Sequence, residues 1–178
     1  MTDAARTLAE FKGLVATIPN QQMLLNTLGI QEAKDSSAIE NIVTTHDQLF
    51  RHLAGADGKE NPAAKEVLRY REALGVGWEL VAKHGLLTNN HILTIQSTLE
   101  PNKPGFRTLP ETTLRDAAGR VVYTPPQDAR EVKRLMGDLE RKLNAEPDEG
   151  PDPLIRMAVL HHHFESIHPF YDGNGRTG

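Results

Sequence analysis

The run from His168 to Gly178 reads His-Pro-Phe-Tyr-Asp-Gly-Asn-Gly-Arg-Thr-Gly, and it gathers a base, an acid, a glycine-rich turn and a guanidinium within one short stretch. His168 is the one side chain there that can accept a proton near neutral pH. Asp172 supplies the hard carboxylate oxygen that Mg²⁺ prefers. Gly173, Asn174 and Gly175 favour a tight turn with positive φ, in which successive N–H groups can face inward and hold an anion. A helix opening at the second glycine adds its first-turn amides to that preference. Arg176 then falls in the first turn, with a fork that suits phosphate oxygens. The chemistry open to such a set is that of a magnesium-bound polyphosphate with a base beside it. Taken singly, Asp-Gly-Asn-Gly is a common turn string and His-Pro a common helix end. The combination carries the reading.

A loop of this kind needs helices or strands to hold it, and the rest of the chain reads mainly as helix. Leu8, Phe11, Val15 and Ile18 recur at helical steps until Pro19-Asn20. A second helix runs through Met23, Leu24 and Leu28, and after Gly29 another covers 31–42. His46, Leu49, Phe50 and Leu53 continue to a loop at 55–58. Val67, Tyr70, Leu74, Trp78 and Val81 form a long stripe that reads as core and ends at His84-Gly85. Ile92, Ile95 and Leu99 follow, with Thr88 or Asn89 as cap. Thr112 to Leu114 and Val121 to Tyr123 are β-prone, and the turn residues between them suggest a hairpin. Asp128 and Glu131 have capping-box spacing and open a helix containing Val132, Leu135, Met136, Leu139 and Leu143. A polar loop covers 144–153, and an apolar helix over 154–167 delivers His168 at its end.

Composition narrows the function classes. At 178 residues, with net charge −4 and pI about 6.1, the chain is large enough for a sizeable core and has no overall basic field, so no direct nucleic-acid binding is expected. Cysteine is absent, which excludes disulfides and thiolate chemistry. No signal-like apolar segment or membrane-length run occurs, so a cytoplasmic protein with no membrane partner is expected. His161, His162 and His163 project about 100° apart on a helix and cannot converge on one metal.

The run from His168 resembles the signature of the Fic (Fic/Doc, Fido) family, His-x-Phe-x-Asp-Gly-Asn-Gly-Arg-x-x-Arg, and matches it up to Gly178. The preceding His163-Phe164-Glu165-x-Ile167 also resembles the family's approach to the loop. Gly105-Phe106-Arg107, the hairpin and Tyr123-x-Pro125-Pro126 resemble the family's flap, here 107–123, which lies over the site and docks target proteins. Ser36 to Asn41 resembles the inhibitory motif Ser/Thr-x-x-x-Glu-Gly/Asn.

The resemblance implies a mainly α, Fic-type helical bundle with a small β-hairpin flap. Residues 1–84 would form an N-terminal helical region bearing the inhibitory motif at 36–41, and 85–178 a core lacking its C-terminal helices. It implies AMP transfer from ATP, with Mg²⁺, to a Tyr, Thr or Ser hydroxyl of a target protein. His168 would deprotonate that hydroxyl, and Asp172 would hold the metal. Gly173, Asn174 and Gly175 would cradle phosphate oxygens, partly through the Asn174 side chain. Arg176 would steady the β/γ end, and Phe170 would anchor the loop. Glu40, on one helix face with Ser36 and followed by Asn41, would pair with the last motif arginine and obstruct the γ-phosphate. That arginine would be residue 179, so the expectation is either a fragment of a longer protein or a chain of impaired activity. The alternative is a non-catalytic regulatory or interaction module. AMP removal, phosphocholine transfer, target phosphorylation, self-association and the identity of the target stay open.

Overall fold

The computed structural model describes residues 2–55, 61–146 and 151–178, the side chains of residues 2 and 22 excepted. Within these residues the fold is mainly helical, with a single two-stranded antiparallel sheet. In chain order the elements are α1 (Thr2–Val15), α2 (Gln21–Ile39), α3 (His46–Leu53), α4 (Pro62–His84), α5 (Asn89–Leu99), β1 (Leu114–Arg115), β2 (Val121–Tyr123), α6 (Ala129–Leu143), α7 (Pro153–Ile167) and α8 (Asn174–Thr177). No described helix is long and apolar enough to cross a membrane. Part of the expected 55–58 loop, residues 56–58, lies outside the described residues, as do 147–150 of the 144–153 loop.

Local chemistry sets most boundaries. Asn20, Thr45, Asn61, Thr88, Asp128 and Asp152 each cap a helix by accepting a backbone N–H in the first turn. Thr45 and Gln48 complete a reciprocal capping box. Asp128 caps α6 through its own carboxylate, but the Glu131 side chain turns to Arg134 instead of closing the box. Gly85 closes α4 in the left-handed region at φ 67°.

Two apolar clusters hold the helices. One joins Ala33 of α2, Leu49 of α3, and Ala64 and Val67 of α4. The other joins Ile92 of α5, Val132, Met136 and Leu139 of α6, Phe164 and Ile167 of α7, and Phe170 of the loop. The expected division at residue 84 falls where α4 ends, yet α4 packs against α5 as well as α2, and α2 reaches α8. The side-chain amide of Asn144 ties the end of α6 to Leu87, donating to its carbonyl at 2.8 Å and accepting its N–H at 2.9 Å.

Two expectations from periodicity are corrected. The segments on either side of Gly29 form one continuous helix, α2, which ends at Ile39 and not at Ile42. A glycine inside a helix costs only about 1 kcal/mol relative to alanine, and the packing of α2 through Ala33 against α3 and α4 outweighs it. The α4 stripe is not all core. Its buried residues are Ala64, Val67 and Ala73, whereas Trp78 is 73% exposed. Val67 and Trp78, three turns apart, lie on one face of α4, so that face is packed at its start and open towards its end, where Leu74, Trp78 and Val81 line a groove with Ala73, Gly77 and Ile95.

Leu49 is fully buried in the N-terminal cluster, whereas Leu8 on α1 is exposed. Leu49→Ala is expected to lower the unfolding free energy by about 2–5 kcal/mol, and Leu8→Ala to change it by less than about 0.5 kcal/mol. Urea denaturation of both variants measures the difference, and equal midpoints would contradict this account of the N-terminal core.

Candidate active site

α7 delivers His168 at its C-terminus, and the histidine itself closes the helix. It sits in the left-handed region (φ 49°, ψ 60°) with its N–H donating to the Phe164 carbonyl. A left-handed non-glycine residue is uncommon and has to be held by its surroundings. Pro169 follows and prevents further helix. Phe170 is fully buried, with ring centroids 5.5 Å from Phe106 and 6.1 Å from Phe164. Burial, and after it the nearby Arg107 charge, lowers the His168 pKa below the usual histidine value. The ring is therefore neutral at pH 7. Its Nδ1 is buried, and the backbone of Glu165 offers the ring a hydrogen bond that works the other way, so Nε2 is the nitrogen left to face the cleft that the ring lines.

The turn after Phe170 is built by Asn174. Its side-chain Oδ1 accepts the Phe170 N–H and its Nδ2 donates to the Phe170 carbonyl, both at 2.9 Å. The amide expected at phosphate oxygens is thus committed to the loop backbone, and any cradle here consists of backbone N–H groups. Gly173 occupies the left-handed region at φ 73° as N-cap of the short α8, with its N–H on Asp172 Oδ1. Asp172 is half exposed, and its Oδ2 faces Lys103 Nζ at 3.5 Å. Gly175 is a close-approach position: a Cβ there would stand 3.0 Å from Glu40 Oε1.

Arg176 is the best-enclosed charge in the site, with a side chain only 3% exposed. Its Nε donates to Glu40 Oε2, its Nη2 donates to Glu100 Oε1 at 2.8 Å, and Asp172 Oδ1 lies 3.8 Å from Nη2. Nη1 is buried and unpartnered among the described residues. Burial opposes the charge, but Glu40 and Glu100 outweigh it and hold the guanidinium above the ordinary arginine value. Glu40 was expected to meet residue 179, which lies beyond the sequence; in the structure its partner is Arg176.

The Glu40 segment has its own backbone logic. The Ile42 N–H donates to the Ser37 carbonyl and the Asn41 N–H to the Ala38 carbonyl, with Asn41 at φ 64°. This is a Schellman closure, in which the position after the cap must be left-handed. Glycine and asparagine are the residues that accept that conformation most readily. Asn41 therefore stops α2 and leaves Glu40 at its tip. Ser36 does not brace Glu40; its hydroxyl meets the Tyr70 phenol, which also donates to Glu32 at 3.3 Å.

Glu40, Glu66, Glu100, His168, Asp172 and Arg176 line one open cleft of about 460 Å³, together with Gly173, Asn174 and Gly175. Of the residues singled out in the sequence, Ser36, Asn41 and Phe170 stand back from it, Asn41 acting through the backbone. Glu66, Glu100 and Lys103 had no sequence signal, because nothing in their spacing relates them to the loop that follows His168. Among the described residues no group of three or more His, Asp or Glu side chains could hold a metal ion alone. A single half-exposed carboxylate at Asp172 suits Mg²⁺, which keeps several waters and shares substrate phosphates.

Comparison with known proteins fits this geometry. A family model described as Fic/DOC family N-terminal matches residues 1–79, and one described as Fic/DOC family matches residues 86–178. The protein adenylyltransferase Fic of Drosophila ananassae is 28% identical over 116 residues, which is 64% of this chain and 23% of that protein. A Fic family protein from Desulfovibrio desulfuricans G20 has the same fold at TM-score 0.77 and 24% identity, over 99% of this chain and 54% of that one. A Fic domain containing signaling protein from Bacteroides thetaiotaomicron VPI-5482 gives TM-score 0.80 and 23% identity, over 97% of this chain and 68% of that one. The chain thus spans less than a quarter of the adenylyltransferase and about half of the Desulfovibrio protein. With residues 86–178, more than half of the chain, matched to the family model and the fold shared with Fic structures, the chain belongs to the Fic/DOC family.

Proposed function

We propose that this chain carries an AMP-transfer site for protein hydroxyl groups, held shut by Glu40. The observation that carries the reading is the neutral His168 opening onto the same cleft as Asp172 and the Arg176 loop. A target Tyr, Thr or Ser oxygen would attack the α-phosphorus of ATP. The bond from that phosphorus to the pyrophosphate oxygen would break, pyrophosphate would leave, and the hydroxyl proton would pass to His168 Nε2. Asp172 would hold Mg²⁺, which when bound neutralises charge on the leaving group. Transfer of this kind rests on positioning and electrostatics more than on covalent help from the protein.

The closed state follows from charge. Four carboxylates, Glu40, Glu66, Glu100 and Asp172, face the cleft, and Arg176 is already paired with two of them. A triphosphate entering this space meets repulsion and finds the guanidinium occupied. Release of Glu40 would free Nε of Arg176 and remove one negative charge. A second reading, an interaction module, draws on the exposed apolar side chains Phe11, Leu14, Met23, Leu25 and Leu28 of α1 and α2.

Labelling with ATP, in this chain and in a form extended past Gly178, separates the two readings. His168→Ala is expected to lower AMP transfer by about 10²–10⁴-fold while ATP binding persists; an unchanged rate would remove His168 from the mechanism. Because the folded pKa is lowered, the base stays unprotonated until the pH falls below the ordinary histidine value of about 6.5. The acid limb of the rate profile should accordingly lie on the acid side of that value, and a limb above it would contradict the assignment.

Glu40→Gly is expected to raise nucleotide binding and labelling by about tenfold, the equivalent of about 1.4 kcal/mol. The pairing with Arg176 extends this expectation to the 178-residue chain itself, where residue 179 is not needed for the contact. No gain in either length would show that Glu40 is a structural acid. Asp172→Ala should weaken the Mg²⁺ dependence of ATP binding, as titration of the metal against nucleotide would record; wild-type dependence would displace the ion from Asp172.

A further inference from the structure

Arg107 is 1% exposed, yet no carboxylate pairs with it among the described residues. A buried cation without an acid must be satisfied by dipoles. Here they are peptide carbonyls from two places far apart in sequence. Nε donates to the His168 carbonyl at 2.7 Å, and Nη2 donates to the Ile167 carbonyl at 3.3 Å and to the Pro126 carbonyl. The first two are carbonyls at the end of α7, which have no intrahelical partner and carry the negative end of the helix dipole. The third lies just past the hairpin. The Arg107 backbone adds its own N–H to the Pro169 carbonyl at 2.8 Å.

The neighbours continue the seam. The Tyr171 hydroxyl accepts the N–H groups of Thr108 at 2.8 Å and Leu109 at 3.0 Å. From β2, the Tyr123 hydroxyl donates to the Ser166 carbonyl at 2.9 Å. Both feet of the hairpin are thus fastened to the segment 166–171, and His168 lies within that segment in a conformation that needs support.

We propose that Arg107 is a positioning residue for His168: its guanidinium fastens the carbonyls that end α7 to the foot of the flap, so that flap and base hold one relative placement. The inference rests on the reading of His168 as the base. It differs from a simple core role because the planar fork holds three carbonyls in one fixed geometry, which the flexible point charge of a lysine does not reproduce. Its charge also faces the imidazole, and after burial it is the next influence keeping that ring neutral.

Arg107→Lys keeps the charge and loses the fork, whereas Arg107→Gln loses both. Transfer from ATP should fall about 10–100-fold in each variant with unchanged ATP affinity, since small misplacements of a base carry losses of that order. Amide hydrogen exchange at Leu114 and Tyr123 should accelerate in both. NMR titration of the His168 ring should stay near wild type in Arg107→Lys and move to higher pH in Arg107→Gln, a change that lost packing alone would not divide in this way. Wild-type rates and wild-type flap exchange in both variants would overturn the proposal. Collapse of the fold in both would overturn it too, because Arg107 would then belong to the core and not to the site. If the unsubstituted protein transfers no AMP, the reading of the reaction fails, while exchange and titration still decide the role of Arg107.

Discussion

A guanidinium that is almost wholly withdrawn from water requires negative charge or aligned dipoles around it, and much of this structure answers that requirement for Arg176. Glu40 and Glu100 come from different helices, but they stand in equivalent places, each the C-cap of its helix. Both carboxylates therefore sit where the helix dipole is already negative, which disfavours them unless a cation is close. Arg176 supplies that cation for both. Removing one member of a buried pair costs about 3–5 kcal/mol because the remaining charge is stranded. The ends of α2 and α5 are thereby fixed to the loop that carries His168, and the glycines at 173 and 175 leave the space in which Glu100 and Glu40 reach it. Arg107 plays the corresponding part at the end of α7, with carbonyls in place of carboxylates.

The parts legible in the sequence were those encoded locally. The caps at Thr88 and Asp128, the hairpin between Thr112 and Tyr123, and the helix leading to His168 all follow from residues within a few positions of one another. The chemistry of the loop was legible for the same reason, since His168, Asp172 and Arg176 are nearly contiguous. What periodicity missed depends on partners elsewhere in the chain. The exposure of Trp78 could not be read from its stripe, because buried Val67 lies three turns back on the same face and only the packing around each turn separates them. The continuity of α2 through Gly29 depends on Ala33 packing beneath α3 and α4.

Side chains with two plausible tasks were the hardest to place. Asn174 could bind a ligand oxygen or close its own loop, and only the position of Phe170, fixed by Phe106 and Phe164, gives the second task its geometry. Arg107 stood in a recognisable segment, but nothing near it in sequence says that its fork reaches the carbonyls of residues 126, 167 and 168. Glu100 carried no pattern at all, because its partner lies seventy-six positions away.

Asn41 never touches the cleft, yet the sign of its φ angle decides where α2 stops. A β-branched residue at that position would resist the left-handed turn, and the helix would tend to run on through residue 40. The carboxylate would keep its charge and its place in the sequence while pointing along a different radius of the helix. A control element of this kind is inherited through the backbone: it can be lost by a neutral, distant-looking substitution that alters neither acid nor base, and comparisons that score only the acidic residue would not register the loss.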